Sequence, residues 1–436
     1  MKKRRINPSQ RIAVGYAALA VLGALMLILP ISHGTSLHIV DAFFTSASAL
    51  FVTGLSSVSP QTFTPFGYFV IAALIQIGGI GVTFISTSFY LLIGRKISLG
   101  DRRMLAEERN SSLPGIVRLF RKVVIFSFSI EAVGALAFSL HLHVQYGYSW
   151  LRAFGFGCFH AVSAFNNAGF DIWTNNMESF THDPFMLLLT ALLIILGGIG
   201  FVVLVELYEF PRQRQLSLHV RIVLGMTALL LVIGTLLILL FEWNKSMANL
   251  SWPYKILNAF FSSTVTRTAG FDSVPISNMQ EVTWLIMIFL MFIGAAPGST
   301  GGGIKVTTFF LIIKTTMATI RGRAQIVAGK RQIPWELAQK SMLIAILGIT
   351  VVLVCTLIDA IVEPSIPIIK IIFEEVSAYG TVGLTTGITG SIDSSMKWVL
   401  IFTMYLGRIG IFTFLLSLVQ RSQSRVQYVQ ERILIG

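Results

Sequence analysis

A chain of 436 residues that is 54% hydrophobic and only 12% charged is not an ordinary soluble domain. Several of its apolar runs are longer than 18 residues, so it is a polytopic membrane protein. The net charge of +13 invites a nucleic-acid reading, but 25 of the 33 Lys and Arg fall in the N-terminus, in loops 94–122, 210–221 and 314–340, and in the C-terminal tail. That is the positive-inside pattern; it excludes a nucleic-acid partner, puts both termini in the cytoplasm and requires an even number of full spans.

In chain order, the basic start leads directly into a span at 12–31, and no cleavable leader is expected. Residues 40–52 are too few to cross and read as a half-helix entering from outside; 66–93 then crosses back. The same plan follows three more times. The first helices are 117–140, 220–241 and 337–362, the short segments 151–165, 253–265 and 366–379, and the returning helices 184–208, 282–317 and 397–419. The result is an all-α fold of eight full spans and four re-entrant half-helices around a central pore. It is divided into pseudo-symmetric helix–pore-loop–helix repeats at 10–94, 115–210, 217–320 and 335–420, with a cytoplasmic tail at 421–436.

Each short segment ends on the same signature. The four versions are Val52-Thr53-Gly54, Asn167-Ala168-Gly169, Thr268-Ala269-Gly270 and Thr381-Val382-Gly383, each followed by Leu or Phe. Phe44, Phe159, Phe260 and Phe373 stand ten residues before the glycines, and Ser48, Ser163, Thr264 and Ser377 six before. The glycines are 115, 101 and 113 residues apart, too far for a solenoid and right for a module of several helices. Non-helical backbone at membrane depth survives only where protein buries it or water reaches it. Four such loops on one axis would offer rings of carbonyls able to replace the water shell of a monovalent cation. Glycine permits the dihedrals that turn those carbonyls inward. The negative ends of the half-helices would favour a dehydrated cation at the membrane centre. Asp171 and Asp272, two residues past their glycines, either attract cations at the outer mouth or cap turns.

The returning helices carry Gly78-Gly79-Ile80-Gly81, Gly197-Gly198-Ile199-Gly200, Gly294-Ala295 and Gly407-Arg408-Ile409-Gly410 at matching places, a pattern suited to close packing. The third is interrupted. Gly294, Pro297, Gly298, Ser299, Thr300, Gly301, Gly302, Gly303 and Lys305 lie in one stretch of twelve residues that no helix interior tolerates. It lacks the Gly-Lys-Ser/Thr of a phosphate-binding loop, so it is read as a cavity-lining gate, not a nucleotide site. Arg408 occupies the place of Gly79, Gly198 and Ala295; a charge at that depth marks a functional site, either impeding cations or holding the loop by its carbonyls.

The signature Thr381-Val382-Gly383-Leu384 resembles the start of the potassium-channel filter. With the four filter glycines and the gate stretch, roughly residues 10–430 resemble the Trk/Ktr/HKT superfamily of potassium transporters. The start of the first repeat by about residue 12, without an additional helix pair, is closest to the bacterial Ktr membrane subunits. The resemblance implies potassium as the filter ion, since Gly54 stands where members tending toward sodium carry serine; sodium dependence is left open. It implies a gate at 294–305 with Arg408 beside it and a homodimer in the bacterial cytoplasmic membrane. It also implies a cytoplasmic KtrA-like ring that binds ATP or ADP, with no cofactor in this chain. The rival is an alternating-access symporter coupling potassium to sodium or protons, against which stands the interruption of one repeat only. A membrane enzyme is not expected, because no nucleophile–base pair or metal-ligand cluster falls on the spans. Cys158 and Cys355 lie in apolar stretches, and His141 and His143 are too few for a metal site. Arg267 before the third filter and Glu374 with Glu375 in the fourth short helix are read as a structural ion pair behind the filter. Glu131 is read as a coupling-ion or proton site, or as packing against a hydroxyl. The basic loops are read as lipid or partner contacts.

Overall fold

The computed structural model describes residues 8–81 and 116–418. The basic loop beyond Gly81, the inner end of the first returning helix and the tail at 421–436 therefore lie outside the described residues. The first quarter holds α1 (Pro8–Ile28), α2 (Ile39–Leu50) and α3 (Pro65–Ile80). The second holds α4 (Ile116–Tyr146), α5 (Trp150–Phe165), α6 (Pro184–Gly198) and α7 (Phe201–Gln213). The third holds α8 (Leu218–Glu242), α9 (Trp252–Val265), α10 (Glu281–Phe292) and α11 (Val306–Ile320). The fourth holds α12 (Trp335–Val362), α13 (Ile368–Gly380), α14 (Ser394–Ile409) and α15 (Ile411–Leu418).

The leading helices α1, α4, α8 and α12 are long and apolar enough to cross a bilayer. Their outward faces are apolar, with Leu22 and Leu25 on α1, Val133 and Leu136 on α4, Leu236 on α8 and Ile346 on α12 all exposed. Their inward faces bury Glu131, Ser139, Thr227 and Asp359. This is the arrangement lipid demands, since polar groups are kept out of the hydrocarbon. The short helices α2, α5, α9 and α13 have 12, 16, 14 and 13 residues and cannot span.

The packing closes on itself. Each returning helix lies against the short helix of the next quarter: α3 on α5, α6 on α9, α10 on α13, and α14 back on α2. Local chemistry fixes where the returning helices start. Thr64 accepts from Gly67 N, with Pro65 at the first helical position. Asp183 accepts from Phe185 N and Met186 N ahead of Pro184, and Asp393 accepts from Ser395 N. Such caps are worth about 1 kcal/mol each, and proline at that position sacrifices no helical donor.

One expectation is overturned: interruption is not confined to the third returning helix. α6 and α7 meet at 100°. The break falls at Gly200 (φ +91°), and the same register breaks at Gly410 (φ +86°) and Gly81 (φ +102°). A helix requires φ near −63°, and glycine crosses to positive φ without the Cβ penalty. The packing reading of the same motif holds for its first glycine. A methyl on Gly78, Gly197 or Gly407 would overlap the carbonyl of Leu50, Phe165 or Tyr379, at the end of a short helix in each case. So one glycine of the motif admits the neighbour and the other ends the helix.

A hairpin of β1 (Ile326–Ala328) and β2 (Arg331–Ile333), not foreseen from the sequence, joins α11 to α12. Gly329 (φ +53°) and Lys330 (φ +65°) form its two-residue turn, the type I′ geometry that suits strand twist. Ile326, Ala328 and Ile333 bury against Leu311 and Ala338.

Candidate functional site

The four signatures come together at the centre. A methyl on Gly54 would lie 2.5 Å from Ala168 O, and one on Gly169 2.9 Å from Ala269 O. One on Gly270 would lie 3.0 Å from Gly383 Cα, and one on Gly383 3.0 Å from Gly54 Cα. The four glycines therefore abut in chain order and the fourth returns to the first. All four quarters share an uncommon backbone. Val52, Asn167, Thr268 and Thr381, two residues before the glycines, have φ of +57°, +59°, +70° and +50°. The glycines themselves have φ of +98°, +69°, +70° and +94°. A left-handed residue with a side chain costs roughly 1–2 kcal/mol, so four in one register mark a backbone held for use.

The hydroxyl six residues upstream fastens the loop in two quarters. Ser48 Oγ accepts from Gly54 N (3.0 Å) and Ser377 Oγ from Gly383 N (3.1 Å). Thr264 instead donates to Phe260 O (2.8 Å) within its own helix, and Ser163 Oγ has no partner. The hydroxyls of Thr53 and Thr381 are buried and unpartnered. The short helices end at the ring, so their carbonyl ends face it.

The interrupted stretch lies against the inner side of the ring. A methyl on Gly301 would overlap the Thr268 hydroxyl, and one on Gly302 the Thr381 hydroxyl. The Thr300 hydroxyl is 3.3 Å from the Asn167 amide. The loop thus touches the second, third and fourth signatures. It is pinned to the second returning helix by Ala296 N to Gly198 O (2.9 Å), Thr300 N to Gly197 O (3.2 Å) and Phe201 N to Gly298 O (3.1 Å). Lys305 Nζ donates back to Gly301 O (2.7 Å) and Gly302 O (3.2 Å). Arg408 supplies the remaining link: it donates to Thr300 O in the loop, to Gly78 O and, at 3.4 Å, to Gly79 O of the first quarter. Of the two sequence readings of Arg408, holding carbonyls is what the geometry displays.

Below the loop is a cavity of about 660 Å³ lined by Ser299, Gly303, Tyr379, Arg408 and Gly410. Above the ring is a second, of about 440 Å³, lined by Gly54, Gly169, Gly383, Asp171, Asp272 and Glu178. Burial and then Glu178 push the Asp272 carboxyl up to about 7. Burial and then Asp272 hold Asp171 well above the usual carboxylate range. Crowded acids with raised pKa values favour an incoming cation, whose charge relieves the repulsion. The sequence reading found the two aspartates and missed Glu178, which lies further along the outer loop with no counterpart in the signature.

Two other readings change. Arg267 and Glu374 form no ion pair: Arg267 donates to Thr227 O (3.2 Å). Glu374 accepts from Thr385, Thr386 N (3.1 Å) and Thr389 (3.0 Å). Each is held within its own quarter instead, Arg267 by the first helix of the third and Glu374 by the outer loop of the fourth. Glu131 meets amides instead of a hydroxyl, accepting from Gln76 (3.0 and 3.1 Å) and Asn166 (2.9 Å) behind the second signature.

Four glycine segments closing into a ring between two cavities, with acids on one side and a clamped loop on the other, define a candidate membrane pathway. The comparisons agree on the class: the family model described as TrkH, cation transport protein, matches residues 4–428, and the chain belongs to that family. It is 37% identical over 436 residues to the Ktr system potassium uptake protein B of Bacillus subtilis, covering 99% of this chain and 97% of that one. It is 34% identical over 451 residues to the potassium/sodium uptake protein NtpJ of Enterococcus hirae, covering 100% and 99%. The crystal structure of the potassium transporter TrkH from Vibrio parahaemolyticus shares the fold, with a TM-score of 0.75 at 21% identity over 96% of this chain and 86% of that one.

Proposed function

We propose that this chain is the membrane subunit of a potassium-uptake system, and that potassium crosses it through the ring at Gly54, Gly169, Gly270 and Gly383. The observation that carries the reading is the cyclic closure of four non-identical segments sharing one left-handed backbone register. Four relatives at over 30% identity are named for potassium uptake, one of them for potassium and sodium, which supports potassium as an ion carried. Asp171, Asp272 and Glu178 concentrate cations at the outer mouth. Each ion exchanges its waters for carbonyls of residues 52–54, 167–169, 268–270 and 381–383, and the half-helix ends offset the cost of dehydration. The loop 294–305, clamped by Arg408 and Lys305, is the gate; its displacement opens the ring to the inner cavity. The chain works as a homodimer in the cytoplasmic membrane with both termini inside, and a KtrA-like nucleotide-binding ring moves the gate. The words "Ktr system" in the names of three relatives support such a partner.

Rubidium and sodium uptake into liposomes holding the purified chain, with Gly383→Ser alongside, tests this. Rubidium should enter in preference to sodium, and the serine variant should lose the preference. Equal behaviour of the two proteins would make the glycines packing elements. The breaks at Gly200 and Gly410 favour a second reading, alternating access coupled to sodium or protons, because they interrupt corresponding helices in two halves of the chain. Rubidium flux that needs no second ion gradient excludes it.

A further inference from the structure

The fourth quarter buries two carboxyls that the pore does not use. Asp359 lies one turn from the outer end of α12, and Glu375 sits in the middle of α13; both are inaccessible to solvent. The two carboxyls are within hydrogen-bonding reach of one another. Neither carboxyl is well satisfied by a protein donor. The one hydroxyl within reach is that of Thr403 from α14, fully buried and turned toward Glu375.

No basic residue on the surrounding helices neutralises them. On α12, Lys340 lies over Phe412; on α13, Lys370 lies over Trp284. On α11, Lys314 lies over Phe310. On α14, Lys397 is bound to Asp41, and Arg408 is committed to the gate. The titratable groups facing the pair are Cys355 and Glu363 of α12 and Glu374 of α13, none of them cationic. α10 carries one charged residue, Glu281, at its outer start, and α15 carries none.

Two adjacent carboxylates without a counter-charge cannot persist in a bilayer interior, where burying each charge costs several kcal/mol before their repulsion is added. Acceptor oxygens spaced for a hydrogen bond are spaced for a shared proton. We propose that Asp359 and Glu375 form a proton-binding site, reached from the outer cavity. Thr385 lines that cavity and donates to Glu374, the neighbour of Glu375. Release of the proton leaves two negative charges between α12 and α13. Because α13 runs directly into Thr381–Gly383, their repulsion shifts the fourth filter segment. The site stands on the carboxyl geometry alone; its effect on flux rests also on the pore reading.

The test is infrared spectroscopy of the full chain in lipid, titrated with pH, beside flux measurements on the same samples. At neutral pH the parent should show a carbonyl stretch of a protonated carboxylic acid that shifts in deuterated water. That band should be absent from the spectra of Glu375→Gln and Asp359→Asn. Rubidium flux in an Asp272→Asn background should fall with rising pH, by at most about tenfold per unit for one proton. Either amide substitution should reduce that dependence to less than about twofold. The proposal is overturned if the parent shows no such band, if the band survives both substitutions, or if sodium or potassium abolishes it at constant pH, which would make the site one for a metal cation. Asp171 and Asp272 also contribute carboxylic-acid bands, so the band that counts is the one lost in the difference spectrum between parent and Glu375→Gln or Asp359→Asn, and either variant decides this if the other fails to fold. A correct band in a protein that conducts nothing would sink the pore reading and leave the proton site standing.

Discussion

Replacing Arg408 by glutamine should open the pathway. The guanidinium joins the gate loop, at Thr300 O, to the first quarter, at Gly78 O, with a weaker bond to Gly79 O at 3.4 Å. Hydrogen bonds to a charged group contribute about 1.5–3 kcal/mol each, so the two close ones amount to roughly 3–6 kcal/mol. Ordering the long side chain takes back about 1.5–2 kcal/mol. The clamp is then worth about 1–4.5 kcal/mol in favour of the closed loop, and at a factor of ten per 1.4 kcal/mol its loss raises the open-to-closed ratio by roughly five- to a thousandfold. Basal rubidium flux from liposomes lacking any partner is the assay. Arg408→Lys separates the two contributions, because lysine keeps the charge and loses the fork. A lysine variant as leaky as the glutamine one assigns closure to the carbonyl clamp; one as tight as the parent assigns it to the charge. If Arg408→Gln is folded, monodisperse and no more permeable than the parent, the clamp is not what keeps the loop shut.

Three further outcomes follow from the same geometry. Gly383→Ala places a Cβ 3.0 Å from Gly54 Cα at φ +94°, a strain of about 1–2 kcal/mol before any clash. The ring must widen, so the rubidium-to-sodium uptake ratio should fall; an unchanged ratio would count against the ring as the filter. Gly200→Ala puts a Cβ 2.7 Å from Pro297 O at φ +91°, displacing the gate loop without touching the ring. It should alter basal flux and leave the ion ratio alone, and a change in selectivity would contradict the division between filter and gate. The Asp272 carboxyl, raised to about 7, is neutral below that value and negative above it. Uptake at low external potassium should therefore rise between about pH 6 and about pH 8, and Asp272→Asn should remove the rise.

What the sequence made legible was whatever four copies repeat. The half-helices, the filter glycines and the place that Arg408 fills could all be aligned, because each quarter supplies the same backbone; the outer aspartates follow the same frame in two quarters only. Features that a single copy carries were opaque. Glu178 stands in one outer loop only, and the hairpin 326–333 depends on a Gly-Lys turn inside a basic loop. The Arg267–Glu374 pairing failed for a related reason. Position relative to the filter glycine fixes the backbone, whereas the side-chain partner is chosen by neighbouring elements, here Thr227 on α8 for Arg267 and the loop 385–389 for Glu374. Glutamate 375 was read with Glu374 as one half of that pair; its contact, Asp359, lies sixteen residues upstream on another helix and has no equivalent in the signature.

The broken helices show how one motif can carry two requirements. A returning helix must approach the end of a short helix closely, which calls for glycine at 78, 197 and 407. It must also clear the axis below the ring, because a straight continuation would run on past a cavity of about 660 Å³ that Gly81, Gly303 and Gly410 help to line. The second glycine, three residues later, ends the helix at positive φ. In the third quarter the same register carries Gly294 and then a stretch of non-helical backbone, the loop proposed as the gate. A gate built this way needs a latch only where the loop meets the quarter it does not otherwise touch, and that is where Arg408 joins Thr300 to Gly78.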